Sequence, residues 1–547
     1  MKRSLEKPAH KVIKKLAAFF IALIMLFAFG CKKAEEPLSN APVVLPTPTT
    51  EPLPAQGGEL NLPMPANADH LDPLSVNTEE MLNVFSLIFE GLLSVDQTGA
   101  LVAGLAETWS SDESGKVWTL KLRNSAHWHD NGEKVTAADV KYTYDRLFSM
   151  LSSYYSYYAG KIQNVEAIDE YTVRVTMKSA GIASLYALIV PIMRADSSSA
   201  ATPIGTGPFK AIHSSSTLLT LVANDEWWKQ RPYIDTIHFI ARDNNETALA
   251  SYAAGQLDMV PTSAVTAGKY REEGITTVYD ILTQNAEFLF LNSSNTALKN
   301  INVRMALAYG IDRSNIITNV YMNRAQACDV PIAPDSWLYD SASKVYDYDP
   351  ARALALLKEA GYEDVDDDGL LEINGSRLDK LKFTLLVTDT ADNLREDAAN
   401  DIAAQLLKLG IEVEVVPSAY SIAEPDNDFT LKLNTGEFDL ALCGFNLSRD
   451  GILSPFVDAN GTRNYGKYIS KDLSDLAKGM LLAADETAYR AAASAFEMQF
   501  IKELPFLTLY FRLNSIVYDS AIHGVTGARE PDTLRTADKW YLYTQNG

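Results

Sequence analysis

From residue 59 onward, two periodicities of apolar and polar positions take turns along the chain. Residues 117–122 (VWTLKL) and 171–177 (YTVRVTM) alternate apolar and polar side chains, as half-buried strands do. Residues 136–150 instead place Ala137, Val140, Tyr144 and Leu147 three to four apart behind Thr136, which predicts an amphipathic helix with a threonine cap. The second half is more regular. Residues 381–387, 411–416 and 438–443 read as strands, 392–409 and 475–503 as helices, and 505–511 as a buried strand. Strands alternating with helices predict α/β units built on mostly parallel sheets.

The start of the chain follows a different pattern. Residues 1–15 hold Lys2, Arg3, Lys7, Lys11, Lys14 and Lys15, and residues 16–29 are apolar throughout. A basic segment followed by an apolar run too short to span a bilayer predicts a secretory signal over 1–30. Small residues then precede Cys31, which is similar to a bacterial lipobox, so Cys31 is the expected lipidation site. An acylated cysteine would hold the protein on the outer face of the cell membrane, or on the periplasmic side, and two acyl chains suffice for stable anchoring. Between residues 32 and 58 stand Pro37, Pro42, Pro46, Pro48, Pro52 and Pro54, a composition that buries no core and predicts an extended tether over 31–58.

Composition narrows the choice of function. The formal charge of −22 on 547 residues lies wholly in the body, since the signal segment is basic, and so acidic a surface repels phosphate backbones. Nucleic acid is therefore not an expected partner. The three cysteines, Cys31, Cys328 and Cys443, are too few for a disulfide framework or a thiolate metal cluster.

Catalytic signatures are missing as well. No Gly-x-Ser-x-Gly elbow, His-Glu-x-x-His or phosphate-cradling loop occurs, so no nucleophile is nominated and an enzyme is not expected. His127 and His129 lie on one face of a strand but lack further ligands. Asp364, Asp366, Asp368 and Gly369 open like an EF-hand loop, yet the twelfth position is Gly375, so a polar turn is the plainer reading. Neither a metal site nor a cofactor is expected.

Several longer stretches together resemble the extracellular solute-binding proteins of family 5, the oligopeptide- and dipeptide-binding lipoproteins of ABC importers. Leu105-Ala-Glu107-Thr-Trp109, Lys116 to Arg123, and Trp128 to Tyr142 resemble its longest signatures. Gly205-Thr206-Gly207-Pro208-Phe209 matches a family turn, Asn302 to Arg313 a helix, and Asp349-Pro350-Ala351 with Gly361-Tyr362 a later element. The resemblance runs in order over about residues 59–547. It implies an α/β, periplasmic-binding-protein-like two-lobe clamshell of type II, from the large cluster with an extra subdomain. The first lobe would comprise 59–290, with a subdomain inserted at about 90–200, and the return segment 505–547. The second lobe would be 291–504, with crossings near 287–292 and 505–511. The glycines of the family turn are expected to supply backbone angles closed to other residues, and Arg304, Asp312 and Arg313 to pair as ions.

The same resemblance implies a monomeric carrier. It would pass an oligopeptide, or another small solute, to ABC permease subunits and through them to the ATPase. Two segments fall where family members meet ligand. Tyr154 and Tyr155 belong to a run of four tyrosines between 154 and 158 whose faces suit a peptide-like ligand, although the edge of a core is the plainer alternative. Gly444, Phe445, Asn446, Ser448 and Asp450 follow the strand at 438–443. Relatives carry there an Asp that pairs with the ligand's ammonium. Ser448 stands in its place, so Asp450 can serve only if the loop shifts. That change keeps a non-peptide solute, such as a sugar, metal chelate or opine, as an alternative, and a sensor without import is another. Pro63 to Asn67 is a weaker third candidate.

Overall fold

The computed structural model describes residues 54–543, apart from 67–70, 77, 196, 198–201, 374–375 and 391–393. The expected signal, Cys31 and most of the tether lie outside the described residues. Among the described residues no helix is long and apolar enough to cross a membrane.

One hydrophobic core joins two four-stranded sheets. In the first sheet, Glu59–Pro65 runs parallel to Thr236–Arg242, followed by antiparallel Leu218–Ala223 and Phe209–Ser214. In the second, Ala106–Ser111, Val117–Leu122, Thr172–Met177 and Ile162–Asp169 are antiparallel throughout. The helix Ala137–Ser149 covers it. Its start is fixed by Asp139, whose buried carboxylate accepts from Thr136 N (2.9 Å) and Thr136 Oγ1 (2.8 Å), as the cap and acidic first turn predict. Trp118, Tyr144, Phe209, Phe239 and Trp540 fill the space between the layers.

A second core surrounds a seven-stranded sheet. Its main path runs Met259–Thr262, Phe506–Asp519, Thr276–Leu291, Leu440–Asn446, Lys382–Asp389, Glu412–Ala419, with Ala325–Ala327 added on Phe506–Asp519. Only the last three strands of the path pair in parallel. The expectation of mostly parallel sheets is thus corrected. Consecutive strands of the first half pair as antiparallel neighbours, and parallel βαβ units occur only where helices such as Leu394–Leu407 separate strands.

Two strands serve both cores. Thr276–Leu291 and Phe506–Asp519 pair antiparallel along their lengths, with register breaks between Leu282 and Ala286 and between Glu287 and Phe288. Ile281, Ile516 and Tyr518 enter the first core, whereas Ala286, Phe288, Phe506 and Phe511 enter the second. Burial on both faces explains why these strands read as unbroken apolar runs.

Several local readings change. Gly205 and Gly207 do not adopt positive φ. Their lack of a side chain matters because a Cβ at Gly205 would lie 1.8 Å from Ile88 O, and one at Gly207 2.6 Å from Leu87 O. His129 braces this turn, with Nε2 3.0 Å from Gly207 O and Nδ1 3.4 Å from Gly205 N. Burial holds its pKa down at about 4, so it stays neutral. Among the described residues Arg304 makes no ion pair and donates instead to the carbonyls of Leu298, Lys299 and Glu503, while Arg313 does pair with Asp329. Cys328 and Cys443 are free and buried.

Candidate functional site

The segments that meet between the two cores come from five places in the chain. The strand Leu440–Asn446 leaves the second core, and its exit loop bends back toward the first. Leu447 N donates to Gln284 O (2.9 Å), which fastens that loop to a crossing strand. From the first core come the start of helix Glu79–Ser86, the tyrosine segment ending at Lys161, and Glu530 with Pro531. Together they enclose a cavity of about 480 Å³, within the range of sites for small organic ligands.

The expected residues separate into three groups. Tyr154, Asn446 and Ser448 line this cavity. Tyr155 is buried and lines a smaller inner space of about 190 Å³, which also touches Tyr154 and Arg449. Gly444, Phe445 and Asp450 are not on the wall. Gly444 leaves room for the Arg395–Glu287 ion pair (2.8 Å), since a Cβ there would meet Arg395 Nη2 at 2.1 Å. Phe445 stacks on Phe288 and Tyr465 and carries the guanidinium of Arg463 at 5.3 Å, so it reaches the cavity through that arginine. Both residues belong to the strand itself, which runs three residues beyond its sequence-read end.

Asp450 is fully buried and fully engaged. Its Oδ2 takes the Lys161 ammonium as an ion pair and accepts from Tyr157 OH (3.0 Å). Its Oδ1 accepts from Ser448 Oγ (2.6 Å) and Ile452 N (3.4 Å), and its carbonyl accepts from Tyr489 OH. A second cation finds no vacant lone pair of good geometry there. Lys161 belongs to the side of the first core, so this ion pair also ties the exit loop across the cleft.

Charge on the wall is divided. Glu79 and Glu530 face the cavity as acids, Arg449 and Arg463 as bases. Glu79 accepts from Asn446 Nδ2 (3.1 Å), a second bond across the cleft. Burial pushes the Glu530 carboxyl up to about 7, against the bond from Asn514 Nδ2 (2.7 Å) and the pull of Arg449. Burial, then the neighbouring Glu80, raises Glu79 too. Among the described residues neither Arg449 nor Arg463 has a carboxylate at ion-pair distance, and the buried Nε of Arg449 has no acceptor. Gln284, 9% exposed, likewise presents an Nε2 without an acceptor. Of the buried donors without partners among the described residues, these two border this cavity, while others, such as Trp118 Nε1 and Arg529 Nε, lie elsewhere.

Sequence reading missed Glu79, Lys161, Gln284, Arg463 and Glu530. They come from separated segments with no shared spacing, and only Lys161, three residues past the tyrosines, lay near a residue already singled out.

The sequence model of the bacterial extracellular solute-binding proteins, family 5 (middle), matches residues 100–463. The chain is 25% identical over 561 residues to the oligopeptide-binding protein AppA of Bacillus subtilis, covering 97% of this chain and 99% of that protein. It is also 25% identical over 385 residues to the nickel-binding periplasmic protein of Escherichia coli, covering 65% and 71% of the two chains. Among solved structures, the unliganded open form of the periplasmic murein tripeptide-binding protein MppA superposes with a TM-score of 0.76 at 18% identity, covering 89% of this chain and 98% of that one. The expected fold class therefore holds.

Proposed function

We propose, on the premise that this chain belongs to the bacterial extracellular solute-binding proteins of family 5, that it captures oligopeptides outside the cell and delivers them to a membrane permease. Cys31 would carry the lipid anchor and 31–58 the tether. Residues 59–290 with 505–547, and 291–504, would act as lobes closing on the ligand, so that binding energy selects the closed form. The oligopeptide-binding relative at 97% coverage supports this reading.

The observation that carries it is the divided wall of the 480 Å³ cavity. With Lys161 neutralised by Asp450, two acids and two arginines remain, so a ligand of no net charge with separated ammonium and carboxylate groups leaves no charge unpaired. The ammonium goes to Glu79 and Glu530. The carboxylate or main-chain carbonyls take the donors of Arg449 and Gln284, and Tyr154 and Phe456 offer flat apolar faces. Asp450 is not the ammonium's partner in this reading. A nickel ion by itself is less suited, because none of the lining residues is His, Cys or Met.

Calorimetric titration with a panel of short peptides, each with free termini, N-acetylated or C-amidated, tests the proposal. The free forms should bind, and acetylation should cost at least about tenfold in affinity, ~1.4 kcal/mol. A panel in which no peptide binds would end the peptide reading.

A further inference from the structure

The acidic segment that reads as a polar turn has another shape in the structure. Tyr362–Glu363 and Glu372–Ile373 pair as a hairpin, with Glu363 opposite Glu372. The hairpin folds the ninth residue of the loop back over its first. One carboxylate oxygen from each of Asp364, Asp366 and Glu372 lies within 4.8 Å of the others. An EF-hand reaches its last ligand at the twelfth position. Here Glu372 arrives three positions earlier, and Gly375, which lies outside the described residues, has no bearing on the count.

Glu372 is the decisive residue. It is 0% exposed, and among the described residues its buried Oε1 has no hydrogen-bond donor. Among the described residues its Oε2 accepts only from Val365 N (2.9 Å). A buried carboxylate oxygen without a hydrogen-bond donor of its own is costly, and two further carboxylates beside it raise that cost, which the field of Lys380 only partly offsets. The backbone already follows a cation-binding course. Asp364 accepts from Asp368 N (3.2 Å) and Gly369 N (2.9 Å), and Gly369 has φ +88°, the turn an EF-hand glycine makes at its sixth position. The nearby ammonium of Lys380 pairs with Asp368, not with Glu372.

We propose that this hairpin loop binds a calcium ion through the carboxylates of Asp364, Asp366 and Glu372. Three carboxylates, with backbone carbonyls and water completing six to eight oxygens, suit calcium, whereas magnesium demands a tighter octahedron. Affinity in the range of extracellular calcium modules, on the order of 10⁻⁴–10⁻³ M, is the expectation for so open a loop. The ion would lock the hairpin to the second core, where Leu371 N donates to Gly410 O (2.8 Å) and Leu381 N to Leu371 O (2.7 Å). The site borders neither described ligand cavity, so it acts on stability rather than on solute contact.

The test is thermal unfolding of the full chain, in detergent and freed of metal, against increasing calcium chloride. The melting temperature should climb through the millimolar range, as binding to the native state alone requires. Magnesium should do less, and sodium chloride of equal ionic strength should do nothing comparable. Asp366 is exposed and makes no hydrogen bond among the described residues, so Asp366→Asn, which thins the carboxylate cluster, should raise the metal-free melting temperature slightly and weaken calcium at least tenfold. Lys380→Met, which removes the positive field that Lys380 casts on Asp366 and Glu372, should tighten calcium severalfold. A calcium shift no larger than that of sodium chloride, or one that survives intact in Asp366→Asn, would overturn the assignment.

Discussion

A carboxyl pushed up to about 7, as in Glu530, changes charge where a binding protein works. The groups facing it are Asn514, Glu79, Glu80 and Arg449. If Glu530 holds a ligand ammonium, its protonated form cannot, and affinity for a free-amino peptide should rise from pH 5.5 to 7.5 as the carboxyl ionises. Above about pH 8 the peptide amine itself loses its proton and the gain should reverse. Glu530→Gln should flatten the acid limb and lower affinity at pH 7.5 about tenfold, ~1.4 kcal/mol, measured by titration across pH. An unchanged acid limb in the variant would remove Glu530 from the site. At this scale the sequence was legible where neighbours in the chain do the work, as in the cap of Thr136 by Asp139. It was not legible for Asp450, because its partner Lys161 stands 289 residues away.

Most elements were visible in their periodicity, but their ends and their joining were not. The helix expected over 475–503 is two helices, Lys471–Leu481 and Glu486–Glu503, separated by a turn whose Asp485 caps the second by accepting from Ala488 N (2.8 Å). Apolar residues on both helices hide the break. Its use is tertiary, since Ile182 N donates to Ala483 O (2.8 Å) and brings the 3₁₀ helix Ile182–Leu188 against the turn. Gly181 sits at that junction with φ +107°, and a Cβ there would lie 2.0 Å from Leu481 O. Gly181→Ala should therefore lose about 1–3 kcal/mol from backbone strain alone, seen as a lower urea midpoint. A wild-type midpoint would mean the junction yields freely. Strand pairing was misjudged for a related reason. Alternation along one strand reports which face is buried, not which neighbour it joins, so antiparallel sheets were read as parallel.

Over the whole molecule, the ion pair of Lys161 with Asp450 and the bond from Asn446 to Glu79 connect what the two cores hold apart. Lys161→Met leaves the buried Asp450 carboxylate without its cation, and such a loss costs about 3–5 kcal/mol. The single variant should be less stable, and by small-angle scattering more expanded without ligand. Lys161→Met with Asp450→Asn should recover most of the stability, because removing both charges is far less costly than removing one. Equal stability of single and double variants would show that the pair does not couple the cores. The order of family motifs made the architecture legible in the sequence. The cavity's chemistry was not, since it arises only when five distant segments converge. The cavity, in this reading, holds peptides. Native mass spectrometry of the protein purified without denaturation, with any bound mass released by acid and sequenced, tests it most directly. Passengers whose masses differ by amino-acid residues and whose amino termini are free are the predicted result, whereas a single discrete non-peptide mass would contradict it.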